Sequence, residues 1–508
     1  MATSILGLNH CFPLPFAAME ASALKTRFAP SPTGLLHLGN VRTALFNYLL
    51  SAGGRGRFLL RLEDTDAIRG EDKYAEALQV DLHWLGMNWH EGPGAGGDHG
   101  PYAQSERGDI YSRYFDQLME SGHAYPCFCS EHELKISRKA QVAAGKPPRY
   151  SGKCRNLAAD EIAGYFAEGK PATLRFRVPS DRSVEFDDVV RGPQKFASDD
   201  IGDFIIRRSD HTPAFFFSNA VDDALMQVTL VVRGEDHISN TPRQLLLMEA
   251  LGLAAPIYAH IALVVGHDGA PLSKRNGSQT VQELRDHGYL PEAVVNYLAR
   301  LGHTYESNEF LSPEELATGF DMAHLNRAPA RFDLNQLLHW QREAIARASN
   351  IDLWQWMNNI SIGGVEIGAL VPAGKQDVFV QTIRNNIESP ADAFLWAANL
   401  FTDSGIYDHQ AREAIETAGT IFFEQSIELL GDDGSFKEYS KRLGEATGTR
   451  GRALFMPLRA AISGEHDQRH AVESRWHDGP QMGDLWELLG ADLIHRRLLL
   501  ARDIARVA

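Results

Sequence analysis

The sequence predicts an α/β protein: a parallel-sheet domain split by an α+β insertion and followed by an all-α region. Three observations predict it. Leu24–Pro30 and Phe58–Asp64 are apolar runs of strand length that bracket helical spacing from Asn40 to Ala52, with GGRGR at Gly53–Arg57 breaking the helix. Residues 127–210 differ in character, carrying three of the four cysteines around the basic stretch KPPRYSGKCR. After about residue 281, β-signals fade and helical periodicity dominates to residue 508.

Strand, loop, helix, strand is how a parallel α/β sheet begins. Gly92–Tyr102 reads as a loop, and helical spacing returns over Glu106–Ser121. Sheet and helix signals alternate again near residue 214, with buried-strand runs at Val228–Asp236 and Ile261–Gly266 and a helix at Pro242–Leu251 between them. The expected divisions are 1–22, 23–104, 105–213, 214–266, 267–345 and 346–508. Residues 1–22 read as a disordered extension: they carry no Lys or Arg and lack the basic start of a signal peptide, and Met19 is an alternative start.

Hydrophobic residues make up 44% and charged residues 23%, and no run of 18 apolar residues exists, so no membrane partner is expected. The sparse cysteines suit a reducing, cytoplasmic setting. The net charge of −16 argues against nucleic acid as a whole-surface partner. Locally the balance reverses: His132–Arg155 holds seven cations (Lys135, Arg138, Lys139, Lys146, Arg149, Lys153, Arg155) against Glu133 alone.

The stretch SPTGLLHLGN, Ser31–Asn40, sits where a phosphate loop belongs. It lacks the Lys and hydroxyl of a Walker loop after Gly39, and it lacks the G-x-G-x-x-G of a dinucleotide fingerprint. What remains is a helix N-terminus at Gly39–Asn40 that presents unpaired N–H groups to an anion, with His37 at its mouth. A second candidate phosphate loop is LSKR, Leu272–Arg275, flanked by Gly269 and Gly277. Cys127, Cys129 and Cys154 are spaced to share a metal and call for a fourth ligand, for which ligand chemistry favours His132.

Taken together, Arg27–Leu50, RLEDTD (Arg61–Asp66), GPYAQSER (Gly100–Arg107), Val221–Gln244 and LSKR resemble glutamyl-tRNA synthetase, a class I aminoacyl-tRNA synthetase of bacterial type. ARFDLNQL (Ala330–Leu337) and Gly451–Gly464 extend the resemblance over roughly residues 24–508. It implies a Rossmann-type catalytic domain, an acceptor-stem-binding insertion at 105–213, a stem-contact domain at 267–345 and a helical anticodon-binding domain at 346–508. It implies glutamate–tRNA ligase activity with ATP, magnesium and tRNA-Glu, in a chain that is usually monomeric. Charging of tRNA-Gln and a non-catalytic tRNA-binding paralogue are the alternatives.

By the same resemblance, Arg27, Ser31, Glu63, Asn219 and Arg233 bind glutamate, with Glu63 on its ammonium. His37, Gly39, Asn40, Asp236, Ser273 and Lys274 contact ATP, and His37, Lys274 and Arg275 serve catalysis, the last two on the departing pyrophosphate. The competing role for Arg27 and Arg233 is an ion pair with Glu63 or Asp236. The motif Y-S-G-K-C favours Tyr150 over His132 as fourth ligand to a structural zinc. Arg450, Arg452 and Arg459 near Phe455 are candidates for anticodon bases. Three positions depart from the family pattern: Pro271 stands where a first loop lysine is usual, Phe215 where a tyrosine is usual, and Asn40 where a second histidine is usual.

Overall fold

The computed structural model describes residues 24–54, 56–65, 71–272, 279–402, 407–431, 434–464 and 479–507. They form two compact units: residues up to Leu284 with Val294–Leu334, and Arg285–Ala293 with residues from Asn335 onward.

In the first unit, β1 (Lys25–Phe28) crosses through α1 (Leu38–Gly53) to β2 (Arg57–Leu60), which pairs parallel to it with Lys25 opposite Arg57. α2 (Glu71–Trp84) and α3 (Gly108–Glu120) follow. The next stretch holds β3 (Ala124–Cys127), α4 (Glu131–Ala143), α5 (Ala159–Ala167) and β4 (Thr173–Phe176), then β5 (Ser183–Asp188), β6 (Gly192–Ala197), α6 (Ser198–Ile201) and β7 (Phe204–Arg207). α7 (Phe215–Leu225), β8 (Leu230–Gly234), α8 (Thr241–Leu251) and β9 (Ile257–Ile261) complete the parallel layer, β8 and β9 pairing in register. Strand β8 lies beside β1: the Thr229 N–H donates to the Lys25 carbonyl at 3.0 Å, and Asn47 Nδ2 on α1 donates to the Val232 carbonyl at 3.0 Å.

Every residue of β1 and β9 is buried, as expected of parallel strands covered on both faces. Helix α1 approaches its neighbour closely enough that a Cβ on Gly53 would sit 2.2 Å from the Ala317 carbonyl oxygen.

Strands β3, β4 and β7 form a separate antiparallel sheet. The hairpin β5–β6 instead joins the parallel layer, where Asp188 pairs with Tyr258 of β9. One apolar cluster spans both regions, with Tyr111 and Phe115 from α3, Leu174 and Phe176 from β4, Phe217 from α7 and Leu247 from α8. Phe115 stacks on Phe217 at 4.1 Å between ring centres.

One expected strand is corrected. Ile261–Gly266 is not continuous: β9 ends at Ile261, and only Val264–Val265 extends beyond it, pairing with Ala330–Arg331. The central strand is the preceding run IYAHI, whose histidine and tyrosine disguise a fully buried segment.

The second unit is a helical assembly. Ser349, Ser389 and Ser435 each cap a helix through their side chains, at Asn350–Asn358, Pro390–Phe401 and Phe436–Thr447. Leu353, Phe379, Phe423, Leu458, Leu485 and Leu498 fill its core. Arg450, Arg452 and Phe455 are exposed at one edge of it, while Arg459 donates to the Pro480 carbonyl at 3.0 Å.

Candidate active site

The parallel strands aim four chemistry-bearing segments at one place: Arg27 near the end of β1, Arg61 and Glu63 just beyond β2, Arg233 on β8 and His260 on β9. Ligands bind at the carboxyl ends of such sheets. Arg27, Glu63, Asn219 and Arg233 are all buried. Ser31 and Glu63 line a pocket of about 90 Å³ with Thr33, Thr65, Gln104, Arg208 and Phe215.

Asp223 organises this cluster. It accepts from Arg61 Nη1 at 2.7 Å and from Arg27 Nε at 3.3 Å. Arg27 therefore pairs with Asp223 rather than with Glu63 or Asp236. Glu63 accepts from Arg61 Nη2 at 3.3 Å and from the Asn219 amide. Burial pushes the Glu63 carboxyl up, against the pull of Arg61 and Arg27. Burial also acts on Asp223, but there Arg27 and Arg61 outweigh it and hold the carboxyl below its ordinary value.

Arg233 spends its donors on neutral groups. Nε–H points to His260 Nε2 at 3.1 Å, and Nη2 donates to Thr241 Oγ1 and Gln244 Oε1, each at 2.8 Å. Arg233 Nη1, Asn219 Oδ1, Asp223 Oδ2 and the Tyr258 hydroxyl are buried without a hydrogen-bond partner among the described residues. Unmet donors and acceptors in one region are costly unless a ligand completes them.

The nucleotide side is built from α1. His37 is its N-cap residue, with extended backbone, and no acid occupies the first turn to cancel the positive end of the helix. A Cβ on Gly39 would meet nothing within 4 Å, so the space above that backbone is open. Asn40 is exposed in the first turn, and Asp236 lies 3.6 Å from His237 Nε2.

Ser273, Lys274 and Arg275 lie outside the described residues, between Leu272 and the segment that resumes at residue 279. Leu272 N–H donates to the Val264 carbonyl at 3.0 Å. At the other end, Thr280 pairs with His37 across an antiparallel bridge, and Val281 N–H donates to the Leu36 carbonyl at 3.0 Å. The segment from Thr280 is thereby tied to the histidine loop.

Several site residues escaped the sequence reading. Asp222 accepts from Gln104 at 2.8 Å, Arg107 at 2.7 Å and Tyr111 at 2.8 Å, which gives the motif GPYAQSER its structural role. The signal for Asp222 and Asp223 was the adjacent acid pair in a helix that is otherwise uncharged. Phe215 lines the pocket by shape and packs 5.5 Å from the His237 ring.

The sulfurs of Cys127, Cys129 and Cys154 lie within 4.8 Å of one another, which is the one such group among the described residues and does not include His132. The Tyr150 hydroxyl lies 3.4 Å from Cys127 Sγ and 3.5 Å from Cys129 Sγ, and it accepts from the Cys154 amide at 2.8 Å. Arg175 stacks over the Tyr150 ring at 3.9 Å. Burial raises the Cys129 thiol to about 12. Burial acts on Cys127 too, but hydrogen bonds from Tyr150 and the Cys129 backbone, with Arg175 beside it, bring that thiol below its ordinary value. Three soft sulfurs and a phenol oxygen around one point fit zinc.

A helix N-terminus with no acid in its first turn and an ion-paired pocket at the ends of one parallel sheet suit an anionic nucleotide beside a small charged ligand. Residues 23–339 match the family model for tRNA synthetases class I (E and Q), catalytic domain. Glutamate–tRNA ligase 2 of Nitrosococcus oceani is 52% identical over 481 residues, covering 94% of this chain and 98% of the relative. Glutamate–tRNA ligase 2 of Alkalilimnicola ehrlichii is 50% identical over 491 residues, covering 96% and 99%. Among solved structures, the glutamate–tRNA synthetase of Elizabethkingia anophelis superposes with a TM-score of 0.80 at 29% identity, covering 94% of this chain and 99% of the other. The chain belongs to the glutamate–tRNA ligases, within the class I synthetases for glutamate and glutamine.

Proposed function

We propose that this aminoacyl-tRNA ligase activates L-glutamate with ATP and transfers the glutamyl group to the 3′-terminal adenosine of tRNA-Glu. In the first step a glutamate carboxylate oxygen attacks the α-phosphorus, forming glutamyl-adenylate and releasing pyrophosphate. In the second a terminal ribose hydroxyl attacks the acyl carbon and AMP leaves. The observation that carries this reading is the set of buried, unpartnered atoms around Arg233, Asn219 and Asp223. An amino acid with an ammonium and two carboxylates supplies donors and acceptors of the opposite kinds.

In this reading Arg27 and Arg233 hold the carboxylates, Ser31 and Asn219 add neutral contacts, and Glu63 faces the ammonium. Gly39, Asn40 and the helix N-terminus receive the nucleotide with His37, and Asp236 and Ser273 assist. Lys274 and Arg275 neutralise charge that develops on the departing pyrophosphate, so catalysis is positioning and electrostatics. Magnesium accompanies ATP as counterion to its phosphates. Cys127, Cys129, Cys154 and Tyr150 hold a structural zinc, which cross-links the chain between β3 and β4. The exposed cations Lys135, Arg138, Lys139 and Lys146 form no salt bridge among the described residues, which leaves them for the phosphates of the acceptor stem. The chain acts as a cytoplasmic monomer.

Glutamate-dependent exchange of pyrophosphate into ATP, with and without tRNA-Glu or tRNA-Gln, tests the reading. Exchange and charging with tRNA-Glu support it. Charging of tRNA-Gln alone would reassign the tRNA, and absence of exchange under every condition would leave only a tRNA-binding role.

A further inference from the structure

Arg233 is not held by an acid. Its Nε–H points at His260 Nε2 across 3.1 Å, in a region closed to solvent. A guanidinium only donates, so that imidazole nitrogen must present its lone pair. The ring proton then sits on Nδ1, which faces Asp188 Oδ2 at 2.5 Å. Thr241 agrees with this assignment. Its hydroxyl accepts from Arg233 Nη2 at 2.8 Å and lies 3.1 Å from His260 Nε2, to which its O–H can donate.

Asp188 is itself fixed. Oδ1 accepts from the amides of Val190 at 3.0 Å and Arg191 at 2.7 Å, and both carboxylate oxygens lie within 3.2 Å of the His260 amide. The chain of contacts runs from the end of β5, through β9, to the side chain on β8. At its far end Arg233 Nη1 is left unpartnered.

We propose that Asp188 and His260 are positioning residues that fix the imidazole tautomer and so aim the free edge of the Arg233 guanidinium at a substrate carboxylate. This rests on the reading that Arg233 binds glutamate. A buried ion pair would hold the arginine as firmly but would compete with the substrate for its charge. A neutral imidazole orients the guanidinium while leaving its charge to the ligand.

The tautomer makes the inference testable with near-isosteric changes. In H260Q the side-chain oxygen can reach the place of Nε2 and still accept from Arg233. In H260N the amide nitrogen stands near Nδ1 and satisfies Asp188, but nothing accepts from Arg233. D188N offers the imidazole a donor, which favours the tautomer that points N–H at N–H toward Arg233.

Pyrophosphate exchange with tRNA-Glu present is measured across glutamate and ATP concentrations. H260N and D188N are expected to raise KM for glutamate by about 10–100-fold, the weight of one hydrogen bond to a charged group. KM for ATP is expected to stay within about twofold, and H260Q to return KM for glutamate to within about fivefold of the parent. R233K is the control for the underlying reading. If R233K raises KM for glutamate but H260N and D188N do not, the positioning role is lost and the reading of Arg233 stands. If R233K has no effect, both fall. Equal rises in both KM values, with no recovery in H260Q, would reduce the pair to a structural role and overturn the proposal. Should H260N fail to fold by circular dichroism, the contrast between D188N and H260Q decides in the same way.

Discussion

Arg61 Nη1 lies 2.7 Å from Asp223 Oδ1, and neither side chain touches solvent. The same carboxylate takes Arg27 Nε, so one acid anchors two arginines that approach the pocket from neighbouring strands. Removing the charge while keeping the shape leaves both cations under-neutralised. D223N is expected to lower unfolding stability by about 3 kcal/mol, the usual loss when one partner of a buried pair is removed. Urea unfolding of the purified variant checks this, and a loss below about 1 kcal/mol would show that Arg61 finds enough compensation from Glu63 and Asp222.

Glu63 gives a pH signature. Burial raises its carboxyl, and the ionised form is the one that can hold an ammonium. As pH falls, glutamate affinity should therefore weaken earlier than an ordinary glutamate side chain would allow. KM for glutamate should climb on the acid side while KM for ATP stays level. E63Q should start from a KM about tenfold higher and lose the acid limb. Parallel profiles for parent and variant would remove Glu63 from the ammonium site.

The parts of this site that could be read from sequence are those fixed by local chemistry. SPTGLLHLGN showed a helix N-terminus because a strand, a Pro/Gly loop and helical spacing follow one another in one stretch. Arg27 and Arg233 were visible through the family resemblance of the motifs that carry them. Their partners were not. Asp223 sits 196 positions from Arg27, and Asp188 sits 72 from His260, so only the sheet order brings them together. The strand carrying His260 was misplaced for a different reason: Tyr and His within IYAHI hid a segment whose every residue is buried. Ser130 and Ser312 show the opposite case, since S-x-x-E announces each helix start and both capping boxes form.

The sulfur cluster separates two candidate ligand sets. Tyr150 lies among the three sulfurs, and His132 is outside the group. Elemental analysis of the purified chain should give about one zinc, and Y150F should weaken retention against a chelator by about tenfold or more. H132A should retain zinc like the parent. Zinc loss in H132A with full retention in Y150F would reverse the assignment, and less than about 0.2 zinc per chain would end it.

His303 links folding of the first unit to pH. Its ring stacks on Phe320 at 4.5 Å and is 3% exposed, and Nε2 lies 3.0 Å from the Asp321 carbonyl oxygen and 3.2 Å from the Asp321 amide nitrogen. Burial first, then His324 and Arg300, pull it down to about 4 from an ordinary 6.5, against the opposing influence of Asp321. The folded form therefore keeps His303 neutral over a range in which the unfolded chain takes up a proton. Stability from this group is complete above the unfolded value and is lost as pH falls from there toward 4. Between pH 7.5 and 5 the loss should be roughly 2 kcal/mol. H303Q has no ring to titrate, so its stability should fall by that much less over the same interval. Urea unfolding at three pH values resolves the difference, and superimposable pH profiles would show that the buried ring accepts its proton in place.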